Sequence, residues 1–288
     1  MDDFLVKVQE FEIRIRKAVT SQMRGNFRSV FKGSGLEFAD LRQYQYGDDV
    51  RAIDWNVSSK GHGAFVKVFR EEKDQTVFFL VDVSASQQVG THQRSKLDTT
   101  KEVCGTLAMS ALREASHIGL YCFSDRKEQY LKPANTQKQG YQLITSLGKL
   151  QPESVRTNIA EALLFTLNVL KRRSLVFLLS DFIDQGYEHN LKALARKHDL
   201  VVIHFYDPRE VNLPKLGVIP VYDMEERRTV WLNTSAPRFR QHLHDQFTQS
   251  RARLERFCRQ YDADYVALDA QSDFVPALAE LFRVRKYR

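Results

Sequence analysis

Apolar positions along the 288-residue chain change their period several times, and each change marks a different element. Over residues 3–23, Phe4, Val8, Phe11, Ile15 and Val19 recur near helical spacing, which predicts an amphipathic helix ending near Gly25. The basic, glycine-punctuated RGNFRSVFKGSG that follows reads as a loop. LEFADLRQYQYGDDVRAIDW is dense in charge and aromatics and shows no clean period, whereas FVKVFREE alternates as a short strand does.

From Gln75 onward the pattern becomes apolar strands separated by helices. TVFFLVD, HIGLYCF, SLVFLLSDF, LVVIHFYD and DYVALDA read as strands. Helical spacing predicts helices over Lys96–Ala115, Tyr141–Leu150, Asn158–Leu170, LKALARKH, Arg238–Tyr261 and Phe274–Phe282. Such alternation implies right-handed crossovers, and hence an α/β fold: a doubly wound, mostly parallel sheet with helices on both faces. Thr76–Val81 and Leu175–Leu179 are unbroken in apolar character, which places them as neighbouring central strands. GVIPVYDMEERRTVWL reads as a hairpin inserted near 214–232. Residues 1–74 hold one amphipathic helix and too few other apolar residues for a core, so they are expected to form an extension packed on a main domain spanning 75–288.

Composition narrows the function classes. No run approaches the roughly 18–20 apolar residues of a membrane span, and MDDFLVKVQEFEIRIRK carries acids where a signal peptide carries base. A soluble, cytoplasmic protein is the expectation. Cys104, Cys122 and Cys258 are scattered and odd in number, which supports neither a disulfide framework nor a zinc site. The net charge of +7 is spread along the chain with acids interleaved (Glu71, Glu72, Glu225, Glu226) and no aromatic-studded basic cluster, so a nucleic-acid partner is disfavoured.

In open α/β sheets, function gathers in the loops beyond the carboxyl ends of the strands, here after Val81, Ser180 and Tyr206. The first of these places carries Asp82-Val83-Ser84-Ala85-Ser86, a D-x-S-x-S arrangement with oxygen-bearing side chains at alternate positions. Thr157, near a predicted helix start, and Asp181, at the end of the other highly apolar strand, add two more oxygens. Hydroxyls and carboxylates suit hard cations such as Mg²⁺ or Mn²⁺. Taken singly, each residue has a plainer role: the aspartates as turn formers, the serines as caps of backbone amides, Thr157 as a helix N-cap.

The D-x-S-x-S, Thr and Asp set resembles the metal-ion-dependent adhesion site of von Willebrand factor A domains. The resemblance implies that Ser84, Ser86 and Thr157 contact the ion directly and that Asp82 and Asp181 act mostly through water. It also implies an open coordination position filled by an acidic residue of a partner. Upstream, E-F, R-x-Y, G-D-D and R-x-I-D-W lead without a gap into the metal motif, a succession that resembles the "domain of unknown function 58" family. That resemblance is strongest over residues 33–125. It implies a von Willebrand A-like (Rossmann-like) fold and association with a MoxR-type AAA+ ATPase, although some members carry membrane spans and no such span is apparent here.

Within the upstream succession, Glu37, Arg42, Tyr44, Asp48, Asp49, Arg51, Asp54 and Trp55 fit either an ion-pair and aromatic brace or a docking surface anchored by Trp55 and the arginines. The leading functional expectation is a non-enzymatic, metal-dependent protein-binding module. It would serve as an adaptor of a MoxR-type ATPase, with a client protein offering an acidic residue to the metal. A metal-dependent phosphoester hydrolase is the alternative, but no G-x-S-x-G, H-E-x-x-H or Walker A motif is present. A basic nucleic-acid binder is the second alternative.

Overall fold

The computed structural model describes residues 36–61, 63–71, 75–91, 94–223 and 228–285, and the helix expected over 3–23 lies outside them. Its first element pair is an antiparallel hairpin of β1 (Leu36–Gln43) and β2 (Phe65–Glu71), with a short helix α1 (Trp55–Ser58) between the strands. Then come β3 (Thr76–Asp82), α2 (Lys96–Arg113), β4 (His117–Phe123), β5 (Lys127–Ala134), α3 (Gln137–Lys149) and α4 (Ile159–Val169). The remainder is β6 (Leu175–Ser180), α5 (Glu188–Lys197), β7 (Asp199–Tyr206), α6 (Pro208–Val211), the strands β8 (Val218–Asp223) and β9 (Arg228–Asn233), α7 (Pro237–Gln260), β10 (Asp264–Asp269) and α8 (Val275–Arg285).

Six strands form one sheet in the order β10-β7-β6-β3-β4-β5, parallel except for β5. Thr76–Asp82 and Leu175–Ser180 are the two middle strands, paired to each other as their apolar runs predict. The reason is burial on both faces. Val77, Phe79 and Val81 face a core built with Leu107 of α2, Leu143 of α3 and Leu278 of α8. Phe78 and Leu80 face a second core with Leu163 of α4, Leu191 of α5 and Cys258 of α7. A strand sealed on both sides has no use for polar alternation. All three cysteines are free and buried.

Two strands lie where the sequence pattern gave no strand. β1 forms in the charged, aperiodic segment and, among the described residues, pairs only with β2. β5, KEQYLKPA, pairs antiparallel at the sheet's edge; its side chains are mostly half-exposed and it carries Pro133. Edge position explains both the polar composition and the tolerated proline. The β8–β9 hairpin falls at the expected insertion and, among the described residues, pairs with no other strand.

The order of strands also fixes where a site can form. After β3 the chain moves to β4 and β5 on one side, then crosses back to β6 on the other. Connections leaving β3 and β6 therefore diverge, opening a crevice beyond their carboxyl ends.

Candidate functional site

At that crevice β3 ends in Asp82, which is wholly buried. Its Oδ1 accepts from the Ser84 backbone N–H at 3.0 Å and from Ser84 Oγ at 2.7 Å. Its Oδ2 accepts from Ser180 Oγ at 2.6 Å, which ties the end of β3 to the end of β6. Ser84 and Ser86 bring their hydroxyls to 3.1 Å of each other across the 3₁₀ turn Ala85–Gln88. Burial, followed by the nearby Asp181 carboxylate, raises the Asp82 carboxyl to about 7 against the opposing hydrogen bonds from Ser180 and Ser84. Two buried acidic groups that repel each other favour positive charge nearby.

The Ala85 backbone N–H donates to the Val155 carbonyl at 3.0 Å, bringing the loop that precedes α4 against the serine turn. Thr157, two residues further on, does not cap α4. That role falls to Asn158, whose side chain accepts from the Glu161 N–H at 2.9 Å. Thr157 Oγ1 is buried and has no hydrogen-bond partner among the described residues. A buried hydroxyl without a partner is costly, on the order of 1–3 kcal/mol, unless something absent from the chain satisfies it.

Asp181 follows β6 directly. Its Oδ1 accepts from the Ile183 N–H at 3.3 Å, and the next residue, Phe182, sits at φ 56°. A bulky side chain in left-handed backbone is uncommon and costs about 1–3 kcal/mol, so the loop is held by its surroundings. The Phe182 ring packs against Tyr187 and His204.

The residue that sequence reasoning did not single out is Lys96. Its side chain is fully buried, and Nζ donates to Asp181 Oδ2 at 2.8 Å and to Glu210 Oε1 at 2.7 Å. Burial works to lower its pKa but is outweighed by Asp181 and then Glu210, which hold the ammonium above the ordinary lysine value. Glu210 is presented by α6, where it also completes a capping box with Asp207. A signal was available: Ser95 caps α2 with Asp98, making Lys96 the first helical residue. Lysine is disfavoured at that position because the helix dipole is positive there.

The upstream residues lie elsewhere. Arg42 forks onto Asp48 at 2.7 and 2.6 Å, which holds the Asp48 carboxyl below its usual range. Asp49 caps the 3₁₀ turn Val50–Ala52 by accepting from the Arg51 N–H, and Asp54 caps α1 and approaches Lys67 at 3.3 Å. Tyr44 donates its backbone N–H to Ala64, Glu37 pairs with Arg70 in the β1–β2 register, and Trp55 is 67% exposed. These interactions link residues 36–71 to one another.

Among the described residues no three His, Cys, Asp or Glu side chains converge as a metal-ligand group. The set at the crevice is of another composition, three hydroxyls with two carboxylates. Also among the described residues, no helix is long and apolar enough to cross a membrane.

Three comparisons place the chain among known proteins. An uncharacterized protein of Mycobacterium tuberculosis is 25% identical over 222 residues, covering 76% of this chain and 70% of the relative. An uncharacterized protein of Mycobacterium avium is 26% identical over 140 residues, covering 47% of this chain and 80% of that protein. Among solved structures, an aerotolerance-related membrane protein from Bacteroides fragilis NCTC 9343 aligns over 73% of this chain and 99% of its own, with a TM-score of 0.50 and 13% identity. At that identity the likeness concerns the fold alone. The conserved hypothetical protein BatB from Bacteroides thetaiotaomicron aligns with a TM-score of 0.49 and 15% identity, over 74% of this chain and 100% of its own. The family described as "Protein of unknown function DUF58" matches residues 40–253, and the chain belongs to that family.

Proposed function

We propose that the chain is a metal-dependent protein-binding module of von Willebrand A-like type, whose Asp82, Ser84, Ser86, Thr157 and Asp181 hold Mg²⁺ or Mn²⁺ and present it to a partner. The single observation that carries this reading is the Thr157 hydroxyl, buried without a partner among the described residues, in the loop that Val155 joins to the turn of Ser84 and Ser86. Hydroxyl donors backed by carboxylates suit a hard cation. Asp82 is pre-oriented by three hydrogen bonds, so it can support the serines without rearranging. Asp181 supplies the second negative charge from the neighbouring strand. A bound divalent ion would contribute an open coordination position and residual positive charge, to which a partner's carboxylate oxygen can bind. By the resemblance described above, that partner is a MoxR-type AAA+ ATPase or one of its client proteins, and the role is that of an adaptor in protein maturation or remodelling.

Thermal unfolding tests the reading. A ligand at about 100 times its dissociation constant stabilises by about 2.7 kcal/mol. For a domain of about 200 residues this corresponds to a rise in Tm of about 5–10 °C. Saturating MgCl₂ or MnCl₂ is expected to produce such a rise in the parent chain and none in Thr157→Val or Ser84→Ala. A rise of equal size in both variants would mean that the ion binds elsewhere and that the crevice is not its site.

A further inference from the structure

Lys96 stands in the same pocket as the proposed ion. It enters the fold at the first position of α2, where the helix dipole opposes it, and it is completely removed from solvent. A buried ammonium is retained only where its partners compensate for lost hydration. Here they come from two other elements, Asp181 after β6 and Glu210 on α6, and Lys96 bridges them at 2.8 and 2.7 Å. Each carboxylate also has its own task. Asp181 belongs to the candidate donor set, and Glu210 Oε2 accepts from the Asp207 N–H at 3.2 Å to close the cap of α6. The Asp181 carboxylate is therefore claimed twice, once by the chain's own cation and once by any ion held at the serines.

We propose that Lys96 is a built-in competitor for Asp181 that sets the affinity of the site for its divalent ion, with Glu210 as the alternative seat that keeps the ammonium paired when Asp181 turns to the ion. This rests on the metal-binding reading above. Two like-charged groups cannot share one buried carboxylate without mutual repulsion, and in a poorly solvated pocket that repulsion is large compared with thermal energy. A site so arranged stays structurally intact when empty and loads only when ion concentration, or a partner's added carboxylate, outweighs Lys96. Glu210 acts on the ion mainly through the lysine, so its influence should shrink once the lysine is gone.

Mn²⁺ binding to the full chain, measured by isothermal titration calorimetry, separates the possibilities. Lys96→Met is expected to bind Mn²⁺ at least about tenfold more tightly than the parent. Glu210→Gln is expected to bind more weakly, because Lys96 is left with Asp181 alone. In Lys96→Met/Glu210→Gln the glutamate substitution should have little further effect, the double-mutant signature of action through Lys96. That pair also removes a cation and an anion together, so it supplies a folded comparison if Lys96→Met alone unfolds. Should the parent bind Mn²⁺ and Ser84→Ala lose it while Lys96→Met or the double variant binds no more tightly than the parent, the competition is wrong and the metal site stands. An undiminished Glu210→Gln effect in the Lys96→Met background also overturns it. If neither the parent nor any Lys96 variant binds Mn²⁺, both readings fall together.

Discussion

The central sheet and the β8–β9 hairpin are both built from apolar-rich strands, yet they place those side chains in opposite surroundings. Phe78, Phe79, Leu80, Val81 and their counterparts in β6 are fully buried between two layers of helices. In the hairpin, Val218, Tyr222 and Trp231 are each more than half exposed, and among the described residues the strands pair only with each other. An apolar residue is thus no guide to burial by itself; what decides is whether a second layer covers the face it points to. The sheet inverts the rule for polar groups as well. Lys96 and Asp181 are buried there because they pair with each other, and Asp82 because Ser84 and Ser180 donate to it. A substitution should therefore be expensive in the sheet and nearly free in the hairpin, and the contrast can be attacked from either side.

The largest effect is expected at Phe79. Its ring is fully buried and stacks on Phe177 at 5.3 Å between centroids, on the neighbouring central strand. Phe79→Ala removes that contact and leaves a cavity that rigid surroundings cannot close, which costs about 3–5 kcal/mol. Urea unfolding followed by circular dichroism should show the loss as a lower midpoint with an unchanged slope. A cost below about 1 kcal/mol would show that the sheet's helical cover is looser than described.

A smaller effect, with a pH signature, is expected at His198, where α5 gives way to β7. The ring is buried and neither nitrogen has a hydrogen-bond partner among the described residues. Burial first, then the charges of Lys197 and Arg173, lower its pKa from 6.5 to about 4. The folded state therefore favours the neutral ring. Stability from this residue is complete above the unfolded value near 6.5 and is lost as pH falls through the window toward 4, by at most about 3 kcal/mol. His198→Leu removes the titration and two unsatisfied nitrogens, so it should equal or exceed the parent in stability at pH 7 and widen its advantage toward pH 4. Parallel stability curves for the two proteins between pH 7 and 4 would show that His198 is hydrated in the fold.

These contrasts also explain how much was legible in the sequence. The middle strands, the inserted hairpin and most helices declared themselves through period, because burial on one or both sides imposes it. Asp82, Ser84, Ser86, Thr157 and Asp181 stood out as oxygens at strand ends or a loop next to apolar runs. Lys96 did not, since its partners are 85 and 114 residues away in sequence and only the return of the chain to β6 and β7 brings them near. β5 was hidden for the opposite reason: at the edge it faces solvent, and a half-wet strand has no obligation to look apolar. Glu210 was within reach, because Asp207-Pro208-Arg209-Glu210 spells a capping box with proline at its first position.

The smallest effect is expected at Trp231, and it tests the exposed side of the comparison. Trp231 lies opposite Pro220 in the hairpin and is 68% exposed, with the exposed residues Val218 and Tyr222 flanking Pro220 along β8. Side chains alternate across a strand, so these four share one face, and among the described residues no helix covers them. Truncating Trp231 removes apolar surface that water already touches in the folded state, and little transfer free energy changes hands. Trp231→Ser should therefore shift stability by no more than about 0.5 kcal/mol, the range for surface positions without special contacts. The β-propensity of serine is poorer than that of tryptophan, which sets the sign as slightly destabilising. Chemical denaturation at matched protein concentration is the measurement, repeated at a tenfold lower concentration to detect self-association. A loss above about 2 kcal/mol that is independent of concentration would mean that the hairpin packs on the body of the protein. The same loss appearing only at the higher concentration would mean instead that this face is covered by a second copy of the chain, and the exposed region would then obey the rule of the sheet.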